Sequence, residues 1–353
     1  MTSMRYTSFG RRTGLRVSEY ALGTGNFGTA WKSGVDTSDA RVIFDRFTEA
    51  GGTFLDSAAM YQGGQSETML GDMIASTRDQ FVVSSKYGLG NPEQSDRANN
   101  GASRKAMVAS VDASLRRLGT DYIDVFWVHF PDAFTPIDEI LRGLDDLVSA
   151  GKIHHGALSN FPAWRVALAA KEADLRGWSP IVGIQTEYSL AERGAEVEIL
   201  PMAEALGIAV NLWSPLAGGL LTGKYREGGE GRKTDPSRFV SSTTTQTDAV
   251  IDTVLEVAAE TGASAAQVSM AWLRERGNRS ATAVIPIIGP RTMAQLEDYL
   301  GALEVTLTDD QYTRLDVVSM PALGVSPEIQ SMTRNAMLDG EPEKFILPAT
   351  PVI

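Results

Sequence analysis

Phe54-Leu55-Asp56 with Tyr61 close behind, Val82-Val83-Ser84-Ser85-Lys86, and Val125-Phe126-Trp127-Val128-His129 are three short apolar runs that end on polar residues. A buried strand has little structural use for such endings. Barrel enzymes assemble their sites from the carboxyl ends of several strands, so these runs predict one catalytic site at a barrel mouth, built from Asp56, Tyr61, Lys86 and His129.

Outward from these runs, β-branched or apolar segments alternate with amphipathic ones. The pattern predicts strands at 20–23, 53–55, 81–85, 123–128, 153–158, 181–185, 208–213 and 283–287. Helices are predicted near 38–50, 65–76, 103–118, 137–150, 162–175, 196–206, 250–275 and 292–302. Eight strands, each followed by a helix, is the count of a closed (β/α)8 TIM barrel, an α/β fold; no linker interrupts it, so residues 1–353 read as one domain. Before it, 4–9 and 15–18 flank Gly10-Arg11-Arg12-Thr13-Gly14, a hairpin expected to plug one barrel end. Thr135-Pro136 reads as an N-cap before a proline at the first helical position, and Gly151 as a helix stop. Two insertions, 87–100 and 216–247, follow strands and are expected over the carboxyl-end face, where long loops often cover substrate or cofactor. The tail, 318–353, carries five prolines and weak periodicity, and is expected either to fold over that mouth or to stay partly disordered.

With 43% hydrophobic and 22% charged residues the chain has the composition of a soluble globular protein. A net charge of −12 disfavours nucleic acid and anionic membrane surfaces, which would repel it at long range. The absence of cysteine excludes disulfides, thiolate metal sites and cysteine nucleophiles. Three histidines, His129, His154 and His155, are too few and too poorly spaced for a metal site, and the last two, within the fifth strand, are given no catalytic part. Neither a signal-like amino terminus nor an apolar run of about 18 residues occurs, which points to the cytoplasm.

Gly23-Thr24-Gly25-Asn26-Phe27-Gly28 matches the dinucleotide G-x-G-x-x-G pattern. That fingerprint requires a helix to begin within the glycine turn, whereas 29–36 reads as loop, so a Rossmann reading is set aside. Gly23, Thr24 and Gly25 remain able to touch a cofactor through their backbone.

Carbonyl reduction needs a hydride donor at the carbonyl carbon and a proton donor at its oxygen. A phenol donates sluggishly at neutral pH unless a cation within about 4–6 Å favours its ionised form. Lys86 can do this for Tyr61, Asp56 can hold Lys86 charged, and an N–H of His129 can orient the carbonyl oxygen. Singly, each has a plain structural explanation as a turn cap, a core-edge aromatic, a snorkelling lysine or a satisfied core histidine. Together, in order and near strand ends, they favour the catalytic reading.

At these residues the chain resembles the aldo-keto reductase superfamily, in the branch that includes bacterial aldo/keto reductases and potassium-channel β subunits. The resemblance covers nearly the whole chain. Asp56-Ser57-Ala58-Ala59-Met60-Tyr61, Ser66-Glu67, Leu70-Gly71, Ser85-Lys86-Tyr87-Gly88 and Trp127-Val128-His129-Phe130-Pro131-Asp132 carry it. Leu158-Ser159-Asn160-Phe161, Gln185-Thr186-Glu187-Tyr188, Trp213-Ser214-Pro215-Leu216 and Gly219-Leu220-Leu221-Thr222-Gly223-Lys224 follow in the same order. Gln62 stands where the family usually has glycine.

The resemblance implies the four catalytic roles above and NADPH (NADP+) extended across the mouth without a Rossmann fold. By resemblance, Ser159, Asn160 and Gln185 hold the carboxamide, Trp213 stacks on the ring, and Asp56 borders the cofactor as well as pairing Lys86. Ser214, Pro215, Leu216 and Gly218, with Lys224 and Arg238, meet the pyrophosphate. Gly289, Arg291, Gln295, Asp298 and Tyr299 form the adenosine-phosphate segment, with Tyr299 in place of the usual asparagine. Arg291 at a helix start suits a 2′-phosphate and so favours NADPH over NADH.

Trp31, Met60, Tyr61, Gln62, His129 and Phe130, with the two long loops, are expected to line a pocket for a small-molecule carbonyl substrate, aromatic or apolar, with a sugar derivative also open. The alternatives are a nucleotide-sugar ketone or enoyl reductase, a redox-sensing binding protein like the channel β subunits, or a barrel that has lost catalysis. Oligomeric state is left open.

Overall fold

The computed structural model of the protein describes residues 4–90, 98–227, 245–322, 324–346 and 348–350. Ten strands occur among them: β1 (Tyr6–Ser8), β2 (Arg16–Ser18), β3 (Ala21–Gly23), β4 (Phe54–Asp56), β5 (Val82–Tyr87), β6 (Ile123–Val128), β7 (Ile153–Ser159), β8 (Ile181–Glu187), β9 (Ala209–Trp213) and β10 (Val284–Ile288). The helices are α1 (Thr37–Glu49), α2 (Gln65–Ile74), α3 (Arg104–Leu118), α4 (Ile137–Ser149), α5 (Ala163–Arg176), α6 (Ile199–Leu206), α7 (Thr245–Thr261), α8 (Ala265–Asn278), α9 (Met293–Gly301), α10 (Asp309–Val318) and α11 (Val325–Met337). Strands β3 to β10 close into an eight-stranded parallel barrel, a (β/α)8 TIM barrel with the expected strand count and order.

Alternation along each strand separates two apolar populations. Leu22, Leu55, Val83, Phe126, Val128 and Leu158 face the surrounding helices. Ala21, Phe54, Val82, Val125, Trp127, Ala157 and Ala209 fill the barrel interior. The amino-terminal strands pair antiparallel, Tyr6 opposite Ser18, and carry Phe9 into the barrel floor. Its ring meets Phe54 edge-on at 5.7 Å and Trp127 at 6.2 Å, so the hairpin plugs this end as expected. Gly183 makes room for that plug: a Cβ there would stand 2.9 Å from Trp127 and 3.0 Å from Phe9. Fully burying a side chain such as Phe9 contributes about 1.5–3 kcal/mol.

Two helix expectations are corrected. The segment expected as one helix over 250–275 is two, because Gly262 turns left-handed at φ +68° and Ser264 opens α8 with a capping box to Gln267. Thr135 does not cap α4: its hydroxyl donates to Asp132 Oδ2, and Pro136 precedes the first helical residue, Ile137. Within the tail, residues Val325–Met337 form the exposed helix α11. As expected, Gly151 stops α4 with φ +71°. No helix among the described residues is long and apolar enough to cross a membrane.

Candidate active site

The strand ends deliver the polar residues. On β5, Ser84 and Lys86 point into the barrel while Ser85 points out to α2, as a period of two requires. Asp56 is the last residue of β4 and lies opposite Ser84 in register. Beyond it the chain stays laced to β5, with Ser57 N–H donating to Ser84 O and Ala59 N–H to Lys86 O. That lacing brings Tyr61, at the head of a short 3-10 turn, to Lys86.

All three protons of the Lys86 ammonium are spoken for. Nζ donates to Asp56 Oδ2 at 2.5 Å, to Ser57 O at 2.7 Å and to Tyr61 Oη at 3.4 Å. Burial opposes the charge, but Asp56 and then Tyr61 outweigh it and hold the ammonium above the ordinary lysine value. Asp56 Oδ1 also accepts from Ser84 Oγ at 2.8 Å and Gln185 Nε2 at 3.1 Å, so both carboxylate oxygens are engaged.

His129 extends β6, its backbone N–H bound to Tyr87 O at 2.9 Å. The imidazole meets the Tyr61 ring edge-on at 6.0 Å and stacks on Phe130 at 4.6 Å. Burial, then the nearby Lys86 charge, pushes its pKa well below the usual histidine value. A neutral ring keeps one N–H to donate. Asp56, Tyr61, Lys86 and His129 thus form one cluster at the carboxyl ends of β4, β5 and β6.

Across the mouth, Asn160 sits in a left-handed conformation at φ +60° after β7. Its Nδ2 donates to His129 O and Ser159 Oγ, and its Oδ1 accepts the indole N–H of Trp213 at 3.0 Å. Of the five described non-glycine residues with positive φ, four, Gln62, Asn160, Ser214 and Ala217, lie on mouth loops. Such conformations cost of order 1–3 kcal/mol and collect at functional sites. The residues fit a carboxamide. Ser159 retains a hydroxyl proton to donate, and the Oε1 of Gln185 accepts no hydrogen bond among the described residues.

After β9, Ser214, Ala217, Gly218 and Gly219 all have positive φ, and Leu216 between them is buried. Lys224 lies over the Tyr225 ring at 5.0 Å. Arg238 lies outside the described residues. Arg291 precedes the α9 N-cap Thr292; its backbone N–H donates to Gln295 Oε1 at 2.8 Å, and its side chain is half-buried. Asp298 accepts from the Ser264 hydroxyl that caps α8 and so already joins α9 to α8, and Tyr299 packs against the core. Gly23 packs against Ile287 and Ile288, and Thr24 is buried with its hydroxyl on Asp56 O. Asn26 Nδ2 donates to Gly289 O, tying the loop after β3 to the end of β10; no helix starts in that glycine segment.

Among the pocket residues, Trp31 lies edge-on to Tyr61 at 6.1 Å and Phe130 is 38% exposed. Gln62 is fully buried, its amide turned to the backbone of the 25–31 loop rather than the mouth. Sequence reasoning passed over Ser84, although two-residue spacing from Lys86 aims both at Asp56. It quoted Glu67 within a motif but gave it no role; the residue is buried on α2 and held by Ser85 and Arg117. Glu187, at the end of β8, is lifted to a pKa of about 7 by burial and then by Glu192. His155 has Thr13 Oγ1 at 3.2 Å from Nε2, and His154 stacks on Tyr122, both away from this cluster.

A parallel barrel with a buried Lys–Asp pair under a phenol and an imidazole defines a class: barrel oxidoreductases acting on carbonyl groups. A family model described as "Aldo/keto reductase family" matches residues 20–319. The uncharacterized oxidoreductase YrpG of Bacillus subtilis is 35% identical over 92% of this chain and 99% of its own. Norsolorinic acid reductase stcV of Emericella nidulans is 34% identical, covering 86% of this chain and 78% of its own. Aryl-alcohol dehydrogenase [NADP(+)] of Phanerodontia chrysosporium is 35% identical, covering 84% and 81%. The chain belongs to the aldo/keto reductase family and is an oxidoreductase.

Proposed function

We propose that this enzyme reduces an aldehyde or ketone to the alcohol with NADPH, taking the proton from Tyr61. The observation that carries the reading is the Lys86 ammonium, which touches Asp56, Ser57 O and Tyr61 Oη at once. Bound nicotinamide supplies the hydride. Ser159 and Gln185 hold its carboxamide, with Trp213 beside the ring and Asn160 bracing Trp213. Arg291, with Gln295 one turn on, takes the 2′-phosphate. Ser214 to Gly218, Lys224 and Arg238 take the pyrophosphate.

The protein's own groups manage the oxygen. A neutral His129 donates its N–H to the carbonyl oxygen and orients it. Tyr61 then passes its proton to that oxygen as negative charge develops, and Lys86 stabilises the phenolate left behind. Asp56 keeps Lys86 charged throughout.

Trp31 and His129 stand edge-on to the Tyr61 phenol and Phe130 stacks on His129, a group of rings that favours a planar aromatic carbonyl compound. The name of the aryl-alcohol dehydrogenase relative agrees with this class. A panel of aromatic, aliphatic and sugar aldehydes and ketones, followed by NADPH oxidation, tests the assignment. Tight NADPH binding without turnover on any of them would instead favour a redox-sensing binding protein.

A further inference from the structure

Gln62 follows the proton donor directly and is an unusual residue. Its backbone is left-handed at φ +52°, a conformation glycine adopts at no steric cost, and its side chain is fully buried. Both ends of its amide are used. Nε2 donates to Gly25 O at 3.1 Å, and Oε1 accepts the Trp31 backbone N–H at 2.7 Å. Three residues on, Gln65 Oε1 accepts the Thr29 N–H at 2.7 Å. Between these anchors Gly28, at φ +136°, has room for no side chain: a Cβ there would stand 2.5 Å from Gln62 Cβ. Asn26 ties the start of the 25–31 loop to Gly289, and Gly28 N–H to Val35 O, while the stretch carrying Thr29 and Trp31 is held by side chains of the short segment next to Tyr61.

The loop also touches the tyrosine. A Cβ on Gly25 would meet the Tyr61 ring at 3.5 Å, and the Trp31 indole stands edge-on to it at 6.1 Å and 74°. A buried amide in a left-handed conformation, with both ends spent on one loop, fixes where that loop's aromatic ring stands relative to the phenol.

We propose that Gln62 is a positioning residue that sets substrate specificity: it clamps the 25–31 loop so that Trp31 forms a wall beside Tyr61 and selects planar aromatic over aliphatic carbonyl compounds. The selectivity rests on the carbonyl-reductase reading above; the clamp does not.

The test compares Gln62→Gly, Trp31→Ala and the double variant, with benzaldehyde and butanal as probes. Glycine accepts the native φ, so Gln62→Gly removes the amide without backbone strain. Its benzaldehyde-to-butanal ratio of kcat/KM is expected to fall about two- to tenfold, the range of one aromatic contact, mainly through the benzaldehyde KM. Trp31→Ala should reproduce that fall and the double variant add nothing. Equal losses for both aldehydes, a change confined to kcat, or multiplying losses would overturn the proposal. Amide exchange at Trp31, which needs no turnover, should accelerate at least tenfold in Gln62→Gly. Unchanged exchange overturns the clamp. Fast exchange in a protein whose wild type reduces no member of the aldehyde and ketone panel leaves the clamp standing and defeats the carbonyl-reductase reading instead.

Discussion

Lys86 Nζ lies 2.5 Å from Asp56 Oδ2, with the lysine side chain wholly closed to solvent and the aspartate 3% exposed. Removing one partner of such a pair leaves an uncompensated buried charge, which typically costs about 3–5 kcal/mol. Asp56→Ala is therefore expected to lower both the melting temperature and turnover, whereas Ser84→Ala, which removes one neutral donor to Asp56, should cost about 1 kcal/mol. Thermal unfolding of the two variants checks the order, and equal losses would mean that the pair is not the anchor of this layer.

Lys86 acts on the carbonyl through Tyr61. Lys86→Met should reduce kcat about as much as Tyr61→Phe, and the double variant should be little worse than either, since groups that work as a unit give strongly non-additive losses. Single-turnover rates for the three variants measure this. Losses that multiply would assign the two residues independent roles.

Arg291→Ala should weaken NADPH binding far more than NADH binding, since only NADPH offers a 2′-phosphate. A hydrogen bond to a charged group contributes about 1.5–3 kcal/mol, roughly ten- to over a hundredfold. Gln295 should add less, because its Oε1 is already bound to the Arg291 backbone N–H. Titration of both cofactors at two salt concentrations is the measurement; equal weakening of both would remove Arg291 from phosphate recognition.

Glu187 makes stability depend on pH. Its pKa rises from 4.5 unfolded to about 7 folded, so between these values the folded state binds more protons than the unfolded one. Stability from this group is present below about pH 4.5 and is lost as pH rises toward 7, since deprotonation leaves a charge in a partly dry site. Glu187→Gln, neutral at every pH, should gain melting temperature relative to wild type on going from pH 5 to pH 8. A difference that stays constant across that range would show that Glu187 titrates normally.

Much of the barrel was legible because a buried strand cannot hide an unpaired Lys or Asp, so Asp56 and Lys86 stood out against the apolar runs that carry them. Ser84, two residues before Lys86 and so on the same strand face, carried a signal in its spacing that the sequence reading did not use. The break at Gly262 was obscured because Val254, Val257 and Ala258 before it and Val268, Met270 and Ala271 after it continue a helical apolar pattern. The Ser264–Gln267 capping box was nevertheless present in the sequence. Thr135 looked like a cap because its competitor, Asp132, takes the hydroxyl through a turn that no helical period reveals. The use of Gln62 had no local signal: the Trp31 N–H that it accepts lies 31 residues earlier and meets it only once β3 and β4 have paired.

Tyr61→Phe tests the central claim most directly, because it removes the proton donor and leaves the ring, Lys86 and Asp56 in place. Single-turnover NADPH oxidation with an aromatic aldehyde, measured alongside NADPH binding to the same variant, separates chemistry from cofactor capture. The expected result is unchanged NADPH affinity with a rate about 10²–10⁴-fold below wild type, the usual contribution of general acid catalysis. A variant that binds NADPH normally and keeps most of the wild-type rate would contradict the assignment of Tyr61 as the acid.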